Sequence, residues 1–414
     1  MLGSIIICIG HIIFTFSDHN IDYILLALSY ISLGTGIFKP NNITINSEIF
    51  REHQDEKLKG FRLAYLLFNI ILIPLPIVIG AVFEYNQEYA FLIAAIGMLI
   101  SLIINYSCWN YFKDAPVQRE IKNKTFNAVM LFFGLIVLGY IQYFIIADWS
   151  LFSQIYKYAS YIFLIILGIM LYNQNSSQRA RTTYIIFLML LFIIYITVHL
   201  QITKIFILFF DRNVDTDACL FGISISATAL PSLDPVTVLC FTPILLYFFP
   251  KEDLNGGVTK ISALFITMIG SFAIAYFGTK FTHNSEYQVS AIIPVLAVIS
   301  IILGEVIFYP FEDAITTTLA PRQYKSMYMA MRCFGMSSAS YASTILSKFA
   351  AIPEELSSST ITATTEIRAQ TLTIYQDYFL LCLKILIILA IITFIIMQTP
   401  YIKNIIQQEI KEEE

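Results

Sequence analysis

Long apolar segments recur along the whole chain and are separated by mostly short polar connections. A helix needs about 20 predominantly apolar residues to cross the hydrocarbon core of a bilayer, and most of the segments reach that length. The pattern predicts twelve membrane-spanning helices, at 2–17, 22–44, 61–83, 89–112, 126–147, 150–171, 183–210, 222–249, 261–281, 287–319, 325–350 and 374–400.

Composition narrows the class of protein further. Of the 414 residues, 57% are hydrophobic and only 13% are charged, whereas charged residues make up about 25% of a typical soluble domain. Because so few polar groups cannot cover a water-facing surface, the expected fold class is an all-α polytopic membrane protein. The six cysteines are scattered without a CxxC pair, so we expect neither a disulfide framework nor a metal site.

Lysine and arginine are distributed unevenly between the two sets of connections. When successive connections, together with the adjoining ends of the spans, are assigned to alternate sides, one side carries 18 of these residues and the other carries 4. Positive residues concentrate on the cytoplasmic side of membrane proteins. We therefore expect both termini and the connections 46–60, 113–125 and 173–182 in the cytoplasm, with 354–373 on the opposite side.

Ionisable residues interrupt several apolar segments, where a charge is costly unless it is paired or functional. They are Lys39, Lys204, Asp234, Glu305 and Lys384. The Glu305 side chain is too short to reach an end of its predicted span. This favours a role in a polar interior over a carboxyl that is neutral or paired for assembly only. For the lysines, a side chain that extends to the headgroups stays open as an alternative.

Histidine, glycine and proline residues add to the expectations for the interior. His199 is either a titrating group or, as we favour, a hydrogen-bonded histidine between helices. Small residues allow helices to approach closely, and prolines at membrane depth are expected to break helices that line protein or a cavity. The residues concerned are Gly34, Gly36, Gly304, Pro40, Pro74, Pro76, Pro235 and Pro310.

Five motifs occur in a characteristic order. They are "LGTGIFKPN" (33–41), "GFRLAYLLFNI" (60–70), "FFDRNVD" (209–215), "SLDPVTVLCFTPIL" (232–245) and "GEVIFYP" with "TTLAP" (304–321). This series resembles the proton-dependent oligopeptide transporters, a branch of the major facilitator superfamily. The resemblance extends from residue 1 to near residue 400.

The resemblance implies the major facilitator architecture with about twelve transmembrane helices, equivalent to the third to the last helix of a fourteen-helix bacterial peptide transporter. Residues 1–112 would be the remainder of the N-terminal half, with four helices, and 113–182 two extra linker helices. Residues 183–400 would be the C-terminal six-helix half, and 401–414 a cytoplasmic tail. The first two helices of the family, with their ExxER signature, have no counterpart in the chain.

The resemblance also implies a site for a peptide. Lys39 would face the peptide carboxylate, and Glu305 would receive the peptide's amino group. Tyr65 and Asn69 match peptide-contacting positions, and Asp234 falls where the family has an asparagine beside the amine. A free peptide is a zwitterion, so its site needs a cation and an anion held apart, and these residue types meet that need.

Gating and proton coupling are implied less completely. Asp211 matches an acid of the outer gate, and Gln201 and Glu305 match positions linked to coupling. Leu200 stands where the family has a carboxyl group on its seventh helix, and Arg332 stands in place of a pocket tryptophan. We therefore expect coupling to differ from the family pattern.

The expected function is a secondary transporter of the proton-coupled di-/tripeptide symporter type, impaired by the missing first two helices. Its partners would be small peptides, protons and the lipid bilayer, with no nucleic acid and no cofactor, in the plasma (inner) membrane. The sequence offers no nucleophile–base pair, metal-ligand cluster or phosphate loop, so we do not expect an enzyme. The alternatives are a non-transporting remnant or assembly partner and, as a weaker one, a carrier of another small solute.

Overall fold

The computed structural model describes residues 1–18, 20–50, 53, 56–75, 78–79, 82, 87–108, 124–215, 227–248, 257–283, 287–321, 324–353 and 365–399. Within these ranges the chain forms twelve helices, which we number in order. They are α1 (Leu2–Thr15), α2 (Ile21–Ile49), α3 (Lys57–Leu72), α4 (Gln87–Ser107), α5 (Lys124–Ala147), α6 (Trp149–Asn173), α7 (Ser176–Asn213), α8 (Leu233–Phe248), α9 (Gly257–Gly278), α10 (Ile292–Leu319), α11 (Lys325–Ser347) and α12 (Thr365–Gln398).

The prediction of an all-helical membrane protein is confirmed. Nine of the twelve described helices are long and apolar enough to cross a bilayer. The other three are α1, with 14 residues, α3, with 16, and α11, which is rich in serine. At 1.5 Å per residue, α1 and α3 are shorter than the hydrocarbon core of about 30 Å. Part of the predicted continuation of α3, in 73–83, lies outside the described residues.

Several helices extend beyond their predicted bounds, and the largest extensions are in α2, α7, which begins at Ser176 rather than at residue 183, and α12. α2 continues to Ile49, α7 continues to Asn213, and α12 begins at Thr365 rather than at residue 374. Hydropathy identifies only the apolar part of a helix, whereas the polar turns beyond it also close their backbone hydrogen bonds. The predicted ends at 109–112, 222–226, 249 and 400 lie outside the described residues.

The prediction that Pro40 and Pro310 break helices is wrong, because each lies inside a continuous helix. A proline removes one backbone donor, and side chains can supply hydrogen bonds to the backbone around it. Near Pro40, Asn41 Nδ2 donates to the Ile37 carbonyl at 2.8 Å, and Thr44 Oγ1 donates to the Pro40 carbonyl at 2.9 Å.

The chain folds into two compact units. Unit 1 comprises Met1–Arg51, Pro74–Thr182 and Leu319–Cys333, and unit 2 comprises Glu52–Ile73, Thr183–Thr318 and Phe334–Glu414. The predicted division into 1–112, 113–182 and 183–400 cuts the chain into consecutive segments. Each of the two units, in contrast, combines three separate segments that pack together. Thus α3 packs against α8 and belongs to unit 2.

Glycines bring α1 and α2 together in unit 1. A Cβ added at Gly34 would lie 2.8 Å from the backbone oxygen of Gly3 and 2.8 Å from the backbone nitrogen of Ile7. The expected close approach at Gly34 is therefore confirmed. At Gly36 the expectation is wrong, because an added Cβ would meet no described atom of another element within 4 Å.

The helices α5 and α6 of unit 1 follow each other almost directly in the chain. Asp148 alone separates them, and its side chain accepts hydrogen bonds from the backbone nitrogens of Ser150 and Leu151 at 2.8 and 3.2 Å. This N-terminal cap satisfies two of the free donors at the start of α6. A single capped residue therefore allows the chain to turn directly from one helix into the next.

Unit 2 contains the largest aromatic cluster among the described residues, where α7, α9 and α12 meet. Its rings belong to Phe206, Phe209, Phe272, Tyr375, Tyr378 and Phe379. Within α7, a π-helical turn (Ile202–Phe206) separates two α-helical stretches, Ser176–His199 and Ile207–Asn213.

A small sheet, absent from the sequence prediction, joins the end of α7 to the connection between α9 and α10. Its strands are β1 (Val214–Asp215), β2 (Thr282–His283) and β3 (Gln288–Ser290), in the order β1-β3-β2. β1 is parallel to β3 with Val214 opposite Val289, and β2 is antiparallel to β3 with Thr282 opposite Val289. Strands of two or three residues are too short for an alternating pattern to reveal them.

Candidate functional site

Glu305 is the centre of a hydrogen-bonded group in unit 2. The residue lies near the middle of α10 and is 8% exposed. Tyr65 Oη donates to its Oε1 at 2.5 Å, Tyr195 Oη donates to its Oε2 at 2.8 Å, and His199 Nδ1 lies 3.0 Å from the same Oε2. A carboxylate that accepts several hydrogen bonds is strongly stabilised in its charged form.

His199 connects Glu305 to a second acid. Its Nε2 lies 3.5 Å from Asp234 Oδ2, so each ring nitrogen faces a carboxylate oxygen. We refer to Asp234, His199 and Glu305 as the carboxylate–histidine cluster. Asp234 Oδ1 is buried and has no hydrogen-bond partner among the described residues. The cluster is not fully enclosed, because the side chains of His199 and Asp234 are 20% and 28% exposed.

The helical repeat explains how α7 builds its part of the cluster. Tyr195 and His199 are four residues apart and therefore lie on the same face, where Tyr195 Oη and His199 Nδ1 are 2.9 Å apart. The π-helical turn begins three residues after His199, and such turns are frequent at functional sites. Asp234 lies in the first turn of α8, where the helix dipole stabilises a negative charge.

Aromatic rings border the cluster. The rings of Tyr65 and Tyr309 stack with their centroids 5.3 Å apart, and Phe192 meets Tyr309 edge to face at 5.8 Å. Asn69, one turn after Tyr65 in α3, donates through Nδ2 to the Tyr65 carbonyl at 2.9 Å. A charged group beside aromatic walls is an arrangement that can bind a small ligand with both polar and apolar parts.

The structure therefore brings together four residues that the sequence singled out for substrate binding, namely Tyr65, Asn69, Asp234 and Glu305. Lys39, the fifth, is exposed on α2 and belongs to unit 1. Asp211, predicted at an outer gate, is exposed near the end of α7.

Gln201 has a different environment. The residue is 0% exposed, and its Nε2 donates to Ser343 Oγ at 2.7 Å, while its Oε1 accepts from Tyr378 Oη at 2.6 Å. These bonds connect α7 to α11 and α12. The predicted coupling role of Gln201 stays a prediction, and its contacts are those of a residue that fixes helix packing.

Three other charged residues named from the sequence take no part in the described hydrogen bonds of the cluster. Lys204 donates to Thr344 Oγ1 at 2.8 Å, Lys384 is exposed on α12, and Arg332 is buried in α11 with an exposure of 3%.

Sequence reasoning identified His199 but did not assign Tyr195. The expectation that His199 is a hydrogen-bonded histidine between helices is confirmed. The four-residue spacing of Tyr195 and His199 was the available signal, although it does not reveal that both ring nitrogens face acids on other helices. Each residue of the cluster has one potential metal-ligating atom that lies within 4.8 Å of those of the other two. Because both ring nitrogens already face carboxylates, we assign no metal ligands here.

Comparison with known proteins supports the sequence resemblance. The chain matches the POT family over residues 1–367. It is 25% identical over 371 residues to the dipeptide and tripeptide permease B of Aliivibrio fischeri (strain MJ11), covering 86% of this chain and 73% of the relative. It is 24% identical over 341 residues to the dipeptide and tripeptide permease A of Escherichia coli (strain K12), covering 80% of this chain and 66% of the relative.

Solved structures support the same fold. Tetrameric PepTSo2 superposes with a TM-score of 0.69 at 19% identity, covering 98% of this chain and 83% of that chain. A POT family transporter in complex with 5-aminolevulinic acid superposes with a TM-score of 0.66 at 20% identity, covering 97% and 81%. The chain therefore belongs to the POT family and is an all-helical, multi-pass membrane transporter rather than an enzyme.

Proposed function

We propose that the chain is a proton-coupled transporter of di- and tripeptides and that Glu305 binds the peptide's ammonium group. The observation that carries this proposal is a buried carboxylate that already accepts hydrogen bonds from Tyr65 and Tyr195. The peptide ammonium is also a hydrogen-bond donor, and its positive charge strengthens a hydrogen bond to a carboxylate. The names of the curated relatives, which are dipeptide and tripeptide permeases, support the substrate class.

The other substrate roles follow from the resemblance. Lys39 is proposed to bind the peptide carboxylate, and Tyr65 and Asn69 to contact the peptide backbone. Asp234 is proposed to lie beside the peptide amine, which is consistent with its contact with His199 in the carboxylate–histidine cluster. Gating by Asp211 and coupling by Gln201 remain proposals of the same kind.

Location and organisation are proposed on the same basis. The transporter would lie in the inner membrane with both termini in the cytoplasm, as the uneven distribution of lysine and arginine favours. The pair α5 and α6, joined at Asp148, would correspond to the two linker helices of bacterial members, between an N-terminal part (1–112) and a C-terminal half (183–400). The predicted tail, 401–414, lies outside the described residues.

Uptake into liposomes tests the function. The purified chain is reconstituted, an inward proton gradient is imposed, and accumulation of labelled dialanine is followed. We expect accumulation above that of protein-free liposomes, and its collapse when a protonophore is added. Uptake equal to that of protein-free liposomes would contradict the proposal and revive the non-transporting remnant or assembly partner, which the family membership does not favour.

A second candidate substrate is a small non-peptide zwitterion. The solved relative that holds 5-aminolevulinic acid supports this possibility, because that compound also carries an ammonium and a carboxylate. Competition distinguishes the two candidates. We expect unlabelled trialanine to suppress dialanine uptake more strongly than an equal concentration of 5-aminolevulinic acid, and the reverse order would favour the second candidate.

A further inference from the structure

The hydrogen-bonding geometry of the carboxylate–histidine cluster bears on proton coupling as well as on substrate binding. Resting on the proposed function, we propose that His199 and Asp234 hold the transported proton, while Glu305 is left to the peptide ammonium. The proton and the substrate would then occupy different members of one cluster.

The two ring nitrogens of His199 provide the first argument. Nδ1 lies 3.0 Å from Glu305 Oε2, and Nε2 lies 3.5 Å from Asp234 Oδ2. A neutral imidazole has one N–H donor and one nitrogen lone pair, whereas a carboxylate offers only acceptors. A neutral ring between two carboxylates would direct a lone pair at one of them. One additional proton, held as an imidazolium or as a protonated acid, would satisfy both contacts.

The surrounding groups determine where this proton is held. Glu305 also accepts hydrogen bonds from Tyr65 on α3 and Tyr195 on α7, so its charge has other support. Asp234 on α8 has His199 as its described partner, and its second oxygen is buried without one. The nearest lysine along α7, Lys204, donates to Thr344 instead. Asp234 therefore depends on His199 more than Glu305 does.

Charge balance provides the second argument. The cluster contains two carboxylates, and a loaded symporter holds two cations, the proton and the peptide ammonium. With the ammonium at Glu305 and the protonated ring at Asp234, each carboxylate has one cation and the loaded cluster is neutral. With only one of the two cations bound, one carboxylate charge remains unbalanced inside the membrane protein, where an unpaired charge is costly. The arrangement thus allows both cations to be bound at the same time, as symport requires.

Two transport assays on the full chain separate this role from substrate binding. Exchange of labelled for unlabelled dialanine at equal pH on both sides requires binding and reorientation but no proton gradient. Accumulation driven by an inward proton gradient requires coupling as well. The variants are His199→Gln and Asp234→Asn, with His11→Gln as the matched control, because His11 lies on α1 in unit 1.

We expect both variants to lose gradient-driven accumulation. His199→Gln should retain exchange, whereas Asp234→Asn also changes a group proposed to lie beside the peptide amine and should exchange more slowly than the parent chain. His11→Gln should keep both activities. The double variant should be no worse than either single variant, because both remove the same proton site. Full gradient-driven accumulation in His199→Gln would overturn the inference and leave the proposed function intact.

A spectroscopic measurement keeps the inference testable if the parent chain does not move dialanine. Nuclear magnetic resonance of isotope-labelled histidine nitrogens reports the protonation of each ring, and His199→Gln identifies the signal. We expect the His199 signal to move between protonation states over a pH range that shifts when Asp234 is replaced by asparagine. A His199 signal that ignores both pH and the Asp234 substitution would contradict the proton site, whatever the transport result.

Discussion

The Tyr195 hydroxyl lies 2.8 Å from Glu305 Oε2 and 2.9 Å from His199 Nδ1, so one phenol contacts both an acid and a histidine. Tyr195 is itself completely buried. This hydroxyl fixes the distance between α7 and α10 at the point where the ligand is proposed to bind.

Replacing Tyr195 by phenylalanine should therefore weaken ligand binding and lower stability together. A hydrogen bond to a charged group contributes about 1.5–3 kcal/mol, so we expect a lower thermal unfolding midpoint. Dialanine affinity should fall as well, because Glu305 loses a side chain that positions it. Scintillation binding and thermal melting of the purified protein measure the two effects. Tyr158→Phe, at an exposed position of α6, is the control and should change neither. A variant with unchanged affinity would show that the hydroxyl does not support the site.

Packing between α1 and α2 gives a matched pair of substitutions. An alanine Cβ at Gly34 would lie 2.8 Å from two backbone atoms of α1, and backbone cannot yield without moving the helix. Overpacking of this kind costs about 1–3 kcal/mol. We expect Gly34→Ala to lower the thermal unfolding midpoint and Gly36→Ala, two residues further along α2, to leave it unchanged. Equal effects would contradict the close approach of α1 and α2.

Replacement of Gln201 distinguishes a role in helix packing from a role in proton coupling. Replacement by leucine leaves the buried hydroxyls of Ser343 and Tyr378 without this partner, and each unsatisfied buried group costs about 1–3 kcal/mol. We expect Gln201→Leu to reduce the free energy of unfolding, while the ratio of gradient-driven accumulation to exchange stays unchanged. Thr203→Val, at an exposed position of the same helix, is the control. A stable Gln201→Leu variant that loses only gradient-driven accumulation would favour the coupling role predicted from sequence.

Sequence predicted the helical class well because apolar segments of membrane length are a direct consequence of the bilayer. It identified Glu305 for a related reason, since a short acidic side chain inside an apolar segment has few structural explanations. It did not predict that His199 lies between Glu305 and Asp234, because the three residues are far apart in the chain and only packing brings them together. Helix ends were missed where polar turns continue a helix, as at Ile49 and Thr365.

The proposed orientation is tested by labelling with an impermeant thiol reagent in intact cells. Cysteine is introduced at Lys59, near the start of α3, or at Glu366, in the first turn of α12, and both positions are exposed. If the side rich in lysine and arginine is cytoplasmic, the Glu366→Cys variant should be labelled and the Lys59→Cys variant should not, after labelling of native cysteines is subtracted. The opposite result would reverse the assigned topology.

Ligand affinity in the Glu305→Gln variant shows whether Glu305 binds the ammonium group of a peptide. A charge-assisted hydrogen bond contributes about 1.5–3 kcal/mol, so the affinity for dialanine should fall by about tenfold or more. N-acetyl-dialanine lacks the ammonium and should lose much less. Glu366→Gln, an exposed acid outside the cluster, should leave both affinities unchanged. We expect a clear difference between the two ligands in Glu305→Gln, and equal losses for both would show that Glu305 does not bind the ammonium.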